Sequence, residues 1–491
     1  MTRRRGAGWL PWLLAACHRD APADNTTATT SSTATTSSTA AGDATAATSA
    51  NGSADTTAAA TTGSDGSSSG TTGERPPEAY APSLIDYGVT CKLISAATID
   101  EPTANATHTR FNLRGTDLGI PAIAQSRLYL FFGDTVGYRV IWDFGEDPDA
   151  VAYVDHAAAQ ADPGVLCDAL TFLVTPDVPS VAAGVDPSIE RDFAGAAMTA
   201  PRGQSVAQYI AQPAGPFPFM PGTFEVPTGA LGDDDGVWLF YAGLVETQPR
   251  TRATLGYLAR FSGGAQPGYD IVRPVDALAG GALGGHFIQV APVVRDDQVL
   301  LWGTGDYRRS GVHLARVPLA SLADGAGTSL WDPQAVAWRD AAALAPRERE
   351  AIAPVFESEG VGELSLQWIA DAGVFVALYQ RELHDDGGAI VDNRIVLRVA
   401  TQPEGPWSDA LTIIDMADPA FSAAHCCGRT CEGEQLLHCL VAGLYGAYLL
   451  PLTQTTASGD GFVLTLPWLV STWNPYNVVL MTAQIELQPV G

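Results

Sequence analysis

Short apolar runs recur along the chain from residue 83 onward, each bounded by polar turns. The strongest occupy residues 128–132, 237–241, 299–302, 374–379 and 436–441. Four of them follow a shorter strand candidate across a turn. The clearest pair is 117–124 and 127–132, with the turn at Gln125-Ser126. The others place 226–231 before Asp233-Asp234-Asp235-Gly236, 287–294 before Arg295-Asp296-Asp297, and 363–369 before Asp371-Ala372-Gly373. Acidic and glycine-bearing turns between apolar runs mark β-hairpins, because such residues accept left-handed backbone and bond their own turns. After a longer first interval the hairpins recur roughly every 60–75 residues, a loose period. The pattern predicts an all-β chain. It favours a five-bladed β-propeller over one large β-sandwich, since hairpin units run the length of the chain and form no single block. The long first interval predicts an insertion near residues 140–205. Residues 340–353 have helix-forming composition and predict one short helix between two hairpin units.

The pattern is different at the N-terminus. Arg3, Arg4 and Arg5 precede an apolar stretch at 9–16 that ends in Leu14-Ala15-Ala16-Cys17. Positive charge, short apolar core and small residues, in that order, make a signal peptide. A cysteine directly after two alanines resembles the lipobox of bacterial lipoproteins, which implies that Cys17 is lipidated and becomes the first mature residue. A plain secretory signal with an incidental cysteine is the alternative. Residues 25–73 hold 16 Thr, 12 Ala, 10 Ser and 6 Gly, and the other five are Asp and Asn. Nothing there carries enough apolar surface to offset the entropy of ordering, so the segment reads as a flexible tether. The predicted organisation is a lipoprotein signal peptide at 1–16, a lipidated cysteine with disordered linker at 17–83, and the propeller at 84–491. The expected location is the cell envelope or cell surface, extracytoplasmic and held to the membrane through lipid alone.

Composition narrows the partners. The 491 residues carry 27 basic against 54 acidic side chains, a net charge of −27, and Lys92 is the one lysine. Such a surface repels phosphates, so a nucleic-acid partner is not expected. No stretch of about 18 uncharged apolar residues occurs, so no transmembrane helix is expected. Six cysteines remain after Cys17, an even number that suits disulfides in an exported chain. Cys426, Cys427, Cys431 and Cys439 are expected to form disulfides bracing the last blade. A zinc site with His425 and His438 is the weaker reading, because Cys427 and Cys431 have a suitable spacing and the adjacent Cys426 does not. No metal and no cofactor are expected, and the chain is expected to be a monomer.

A set of short motifs adds a resemblance. Gly115-Thr116-Asp117-Leu118-Gly119 and Phe132-Gly133-Asp134-Thr135 come first. Val226-Pro227-Thr228-Gly229, Gly303-Thr304-Gly305-Asp306-Tyr307-Arg308 and Gly362-Glu363-Leu364-Ser365 follow. Arg398-Val399-Ala400, Gly405-Pro406-Trp407-Ser408 and Ser471-Thr472-Trp473-Asn474-Pro475-Tyr476-Asn477-Val478 complete the series. In this order they resemble a bacterial five-bladed β-propeller family long carried as a domain of unknown function, some members of which are endo-D-arabinanases. The resemblance spans roughly residues 84–491. It implies a glycoside hydrolase acting on D-arabinofuranosyl linkages of a polysaccharide, with Asp117 and Asp134 as the catalytic pair. The cysteines at 426–439 and the insertion after residue 140 depart from the family.

The residues support that pairing in their own way. Asp117 lies eight positions before Gln125 and Asp134 eight after Ser126. In an unbroken antiparallel hairpin the two would stand directly opposite, and adjacent carboxylates push one pKa up. Glycoside hydrolysis needs one protonated acid and one ionised carboxylate. The alternative is that both aspartates serve as turn caps. Glu363 starts its hairpin as Asp117 does, which makes it a candidate acid or pKa modulator, and Glu225 precedes its own hairpin as a candidate binding residue. Arg308 can bond sugar hydroxyls, orient a carboxylate, or simply pair with Asp306. Trp302, Trp368 and Trp407 can stack on sugar faces or fill a core, and Trp302 is taken as a candidate binding residue. His286 and His313 are isolated and carry no predicted role. Two other functions compete with hydrolysis: a non-catalytic glycan-binding propeller and a protein-binding platform.

Overall fold

The computed structural model describes residues 79–94, 105–107, 110, 113–137, 149–173, 209–210, 224–247, 250–262, 268–385, 389–418, 443–472 and 477–490. They all belong to one compact unit that takes in Pro77–Gly491. The signal peptide, Cys17, the tether, the apolar run at 436–441 and the cysteines 426, 427, 431 and 439 lie outside the described residues. So does most of the expected insertion.

The structure is all-β, as expected. Strand β1 (Tyr80–Lys92) opens it, so the boundary expected at residue 83 falls inside a strand. The alternating apolar residues of the segment find a partner strand at the far end of the chain, which extends the order N-terminally. Four-stranded antiparallel meanders follow. The first runs β3 (Leu118–Ala124), β4 (Arg127–Asp134), β6 (Asp149–Asp155) and β7 (Thr171–Phe172). Short strands β2 (Leu113–Gly115), β5 (Val136–Gly137) and β8 (Tyr209–Ile210) lie beside it. The second runs β9 (Phe224–Asp233), β10 (Gly236–Thr247), β11 (Arg250–Ser262) and β12 (Gly268–Ala277). The third runs β13 (Gln289–Arg295), β14 (Gln298–Thr304), β15 (Ser310–Pro318) and β16 (Ser329–Asp332), with β17 (Ala337–Asp340) paired outside β16. The fourth runs β18 (Phe356–Ile369), β19 (Val374–His384), β20 (Ile390–Ala400) and β21 (Leu411–Asp415), and is continuous with the third in one nine-stranded sheet, because the start of β15 pairs with β18. The last is built from both ends of the chain. β22 (Leu444–Leu449), β24 (Gly461–Thr472) and β25 (Asn477–Pro489) are completed by β1, while β23 (Gln454–Ser458) pairs with β24.

The turns are those the sequence announces. Gln125 and Ser126 both have positive φ, 50° and 62°, the backbone of a primed two-residue turn. Asp233 accepts hydrogen bonds from the Asp235 and Gly236 amides, and Gly236 itself sits at φ 149°. The helix expected over 340–353 is shorter and broken. Pro346 starts a five-residue helix, Pro346–Glu350, after a 3-10 turn at Ala341–Ala343, because proline can open a helix but cannot continue one.

Packing links each meander to the next. The innermost strand of one touches that of its neighbour in the cycle β3, β9, β13, β18, β22 and back to β3. The apolar cores fall between neighbours in the same order. Phe131 and Ile120 meet Phe261 and Leu239, Phe240 and Leu258 meet Leu301, and Trp302 meets Phe375. Leu378 then meets Trp468 and Met481, and Leu469 and Leu480 meet Leu130 and Phe132. β1 pairs along β25 from Tyr80 opposite Pro489 to Lys92 opposite Val479. A disulfide between Cys91 and Cys167 then fastens β1 to the 3-10 helix Pro163–Cys167 of the first meander.

Candidate functional site

The inner strands of three meanders bring polar side chains to a shared cluster. Asp117 immediately precedes β3 and is buried. The register there is not the unbroken ladder assumed from sequence. Ala124 pairs with Arg127 and Ile120 with Phe131, but Leu118 pairs with Phe132, so Gly119 is an extra residue on β3. Leu118 and Gly119 take left-handed φ values of 62° and 104°, as a bulge of this kind requires. A leucine held there is strained, and strain of this sort collects at functional sites. The bulge moves Asp117 opposite Gly133, whose amide donates to the Asp117 carbonyl at 3.1 Å. The expected pairing of Asp117 with Asp134 is therefore off by one. On the other edge of β4, Asp134 pairs with Asp149 of β6. A Cβ on Gly133 would lie 2.5 Å from Asp117 Oδ1, so glycine at 133 gives the carboxylate its room.

On its other side Asp117 meets β22. The Tyr445 hydroxyl donates to Asp117 Oδ2 at 2.8 Å. The next residue, Gly446, directs its amide at Glu363 Oε2, 3.4 Å away. Glu363 lies in β18 at a register shift between Val361 and Leu364, not at the start of its strand as expected. It is buried and accepts from the Tyr307 hydroxyl at 2.9 Å and from Arg308 Nη2 at 3.0 Å. Arg308 takes φ 54° in the loop before β15 and also reaches Glu382 of β19 with Nη1 at 3.4 Å. Its guanidinium lies 4.7 Å from the Tyr307 ring centroid and 5.6 Å from that of Tyr445. Asp306 pairs with Arg252 at 3.5 Å, so Arg308 orients carboxylates and does not form the local pair with Asp306. Tyr448, fully buried, feels the charges of Glu363, Asp117 and Arg308.

The electrostatics follow from burial against pairing. Desolvation works to raise the Glu382 carboxyl, but Arg308 and His384 outweigh it and hold Glu382 below the ordinary range. Burial acts to lower Arg308, yet Glu363, Tyr307 and Glu382 keep it firmly cationic. Burial first, and the neighbouring carboxylates next, push the Tyr307 hydroxyl well up, so it stays a donor, while Arg308 works the other way.

Glu225 is buried at the start of β9, where Tyr257 is its described neighbour. Burial and the Glu225 charge push the Tyr257 hydroxyl to about 12. Trp302 corrects the expectation of a sugar-stacking face. It is fully buried, and its ring packs 5.4 Å from Phe375 and 6.3 Å from Trp407. An unbroken apolar strand such as 299–302 is covered on both faces, which leaves no ring for a ligand. Glu382, Tyr445, Tyr448 and His384 were not foreseen. Gln380, Glu382 and His384 do alternate along β19 and so share one face, the one signal that could have marked them. Among the described residues no group of three or more His, Cys, Asp and Glu side chains is arranged to hold a metal ion, and no helix is long and apolar enough to cross a membrane.

A family model described as a domain of unknown function (DUF4185) matches residues 265–482. No curated protein matches the sequence. Among solved structures, a protein from Bacteroides ovatus described as a hydrolase is similar at 14% identity and a TM-score of 0.45, over 77% of this chain and 87% of that one. The arabinanase of Bacillus subtilis is similar at 12% identity and a TM-score of 0.36, over 76% and 96%. The α-L-arabinofuranosidase of Podospora anserina, in complex with cellotriose, is similar at 8% identity and a TM-score of 0.35, over 84% and 98%.

Proposed function

We propose that the chain is a glycoside hydrolase built on a five-bladed propeller, acting on a D-arabinofuranose-containing polysaccharide. The five meanders, packed cyclically by their inner strands, support the blade count. The substrate class comes from the motif resemblance. One observation carries the chemistry: Asp117 and Glu363, from different meanders, flank the Tyr445-Gly446 dipeptide, each bonded to one of its two residues.

Glu363, bonded by Arg308, Tyr307 and a backbone amide, is held in place to steady positive charge at the anomeric carbon. Asp117 is the general acid that protonates the leaving oxygen. Asp134 drops from the pair because the bulge at Gly119 leaves Gly133, not Asp134, opposite Asp117. The test is cleavage of an arabinan panel by the full chain and by Asp117→Asn, Glu363→Gln and Asp134→Asn. Loss of an acid or base typically costs about 10²–10⁴-fold. The first two variants should each lose at least about a hundredfold and Asp134→Asn much less. Full loss in Asp134→Asn with near-normal turnover in Glu363→Gln would restore the aspartate pair. A wild type that binds arabinan without cleaving it would make the protein a glycan-binding propeller.

We also propose export and lipid anchoring through Cys17, with residues 25–73 as tether. The Cys91–Cys167 disulfide supports an oxidising compartment. Cys17→Ser should leave the membrane fraction, and unchanged membrane association would sink the anchor.

A further inference from the structure

Arg308 is held at both ends of its guanidinium by carboxylates from adjacent strands. Nη2 donates to Glu363 of β18, and Nη1 donates to Glu382 of β19. Nε is buried and has no hydrogen-bond partner among the described residues. The third donor edge therefore does nothing to fix the plane of the group. Its orientation depends on the two carboxylates, with the Tyr307 and Tyr445 rings against its faces.

Glu382 is itself fixed more firmly than its contact with Arg308 requires. His384 Nε2 lies 2.7 Å from Glu382 Oε1, and Gln380 Nε2 donates to Oε2 at 3.2 Å. Gln380 is anchored in turn to Asn393 Oδ1 of β20 at 3.0 Å. The bulge that carries Glu363 closes over this group. A Cβ on Gly362 would stand 2.9 Å from Gln380 Oε1 and 3.5 Å from Arg308 Cγ. The backbone beside Glu363 is thus fitted against the same side chains that hold Glu382.

We propose that Glu382 is a positioning residue that keeps the Arg308 guanidinium turned onto Glu363, and that His384 holds Glu382 in that pose. The proposal rests on the reading of Glu363 as a reacting carboxylate. An arginine shared between two carboxylates gives each only part of its charge. Without the Glu382 charge, Arg308 pivots about its unpartnered Nε and the direction of the Glu363 oxygens shifts. Displacements of this size cost turnover more than binding. Glu382 acts through Arg308 and touches no substrate in this scheme, so the loss falls on kcat and spares KM.

Two readouts on the full chain test this. The first is 15N-arginine NMR, with the Arg308 signals identified by their loss in Arg308→Lys. Wild type should show two resolved Nη signals, and Glu382→Gln should merge them while remaining folded. His384→Gln can still donate to Glu382 Oε1 and should keep them apart, whereas His384→Ala should not. The second is arabinan cleavage, where Glu382→Gln should lose roughly tenfold or more in kcat with KM within about twofold. Unchanged Arg308 signals in folded Glu382→Gln would overturn the proposal whether or not the chain cleaves arabinan. So would an unchanged kcat in that variant alongside inactive Asp117→Asn and Glu363→Gln. Should Glu382→Gln fail to fold, unchanged Arg308 signals in His384→Ala would overturn it equally. Active Asp117→Asn and Glu363→Gln would instead reject the hydrolase assignment, and the NMR result would still decide how Arg308 is held.

Discussion

The Tyr445 hydroxyl donates to Asp117 Oδ2 at 2.8 Å across 328 positions of sequence. The bond joins the first residues of β22 to the entry of β3, and the amide of Gly446 faces Glu363 one residue later. Tyr445→Phe keeps the ring beside Arg308 and removes only the donor. A hydrogen bond to an uncharged carboxyl contributes about 0.5–1.5 kcal/mol. Turnover should therefore fall by about three- to tenfold. Steady-state kinetics on arabinan would show it, and an unaltered kcat would remove Tyr445 from the site.

Gly133→Ala tests the room around the acid. The new methyl would meet Asp117 Oδ1 at 2.5 Å, closer than such atoms approach, so the carboxylate must turn away. Activity should fall at least about tenfold, while overpacking costs about 1–3 kcal/mol of stability. Denaturant titration alongside kinetics separates the two effects. Full activity with lowered stability would show that Asp117 does not act where it is placed.

Stability should fall in acid because of two stacked imidazoles. His286 and His313 lie with ring centroids 3.7 Å apart. Burial first, and His286 next, lower His313 to about 3. Burial lowers His286 too, with Asp276 partly offsetting it. An unfolded histidine titrates near about 6.5, so below that pH the unfolded chain binds protons that the folded chain refuses. The His313 contribution is complete above about 6.5 and is lost as pH falls toward 3, at up to about 1.4 kcal/mol per pH unit, and His286 acts in the same direction. His286→Phe/His313→Phe keeps a stacked aromatic pair and should flatten the dependence of unfolding free energy on pH between 7 and 4. An equally steep dependence in the double variant would assign the acid sensitivity elsewhere.

Cys91→Ser should destabilise the chain by about 2–5 kcal/mol, the usual loss for a native disulfide. Hydrogen exchange should rise first along β1, whose end the bond secures. Uniform exchange across all meanders, with β1 no faster than the rest, would count against a local role.

Much of this was legible in the residues. Gln125-Ser126, the aspartate turns and the apolar runs placed the hairpins, because turn chemistry and strand burial are local properties. The site was legible in part. Of the residues expected there, Arg308 bonds Glu363, and the Tyr445-Gly446 dipeptide links Glu363 to Asp117. The partner of Asp117 was misread because counting from the turn assumes a continuous ladder, and Gly119 breaks it. Trp302 takes the commoner of its two expected places, the core, because the apolar run around it is covered on both faces. Tyr445 gave no warning and Glu382 only its alternation with Gln380 and His384, since their roles exist only once β22 and β19 are set beside β3 and the Arg308 loop.

The pairing of β1 with β25 has a consequence for synthesis. Of the described strands, the first to leave the ribosome takes as its neighbour the last. Until β25 is made, that edge of β1 faces water, or any other chain that passes. Closing so long a loop costs little more entropy than closing a shorter one, but it delays completion. A nascent chain of this kind gains from being kept unfolded until β25 has emerged.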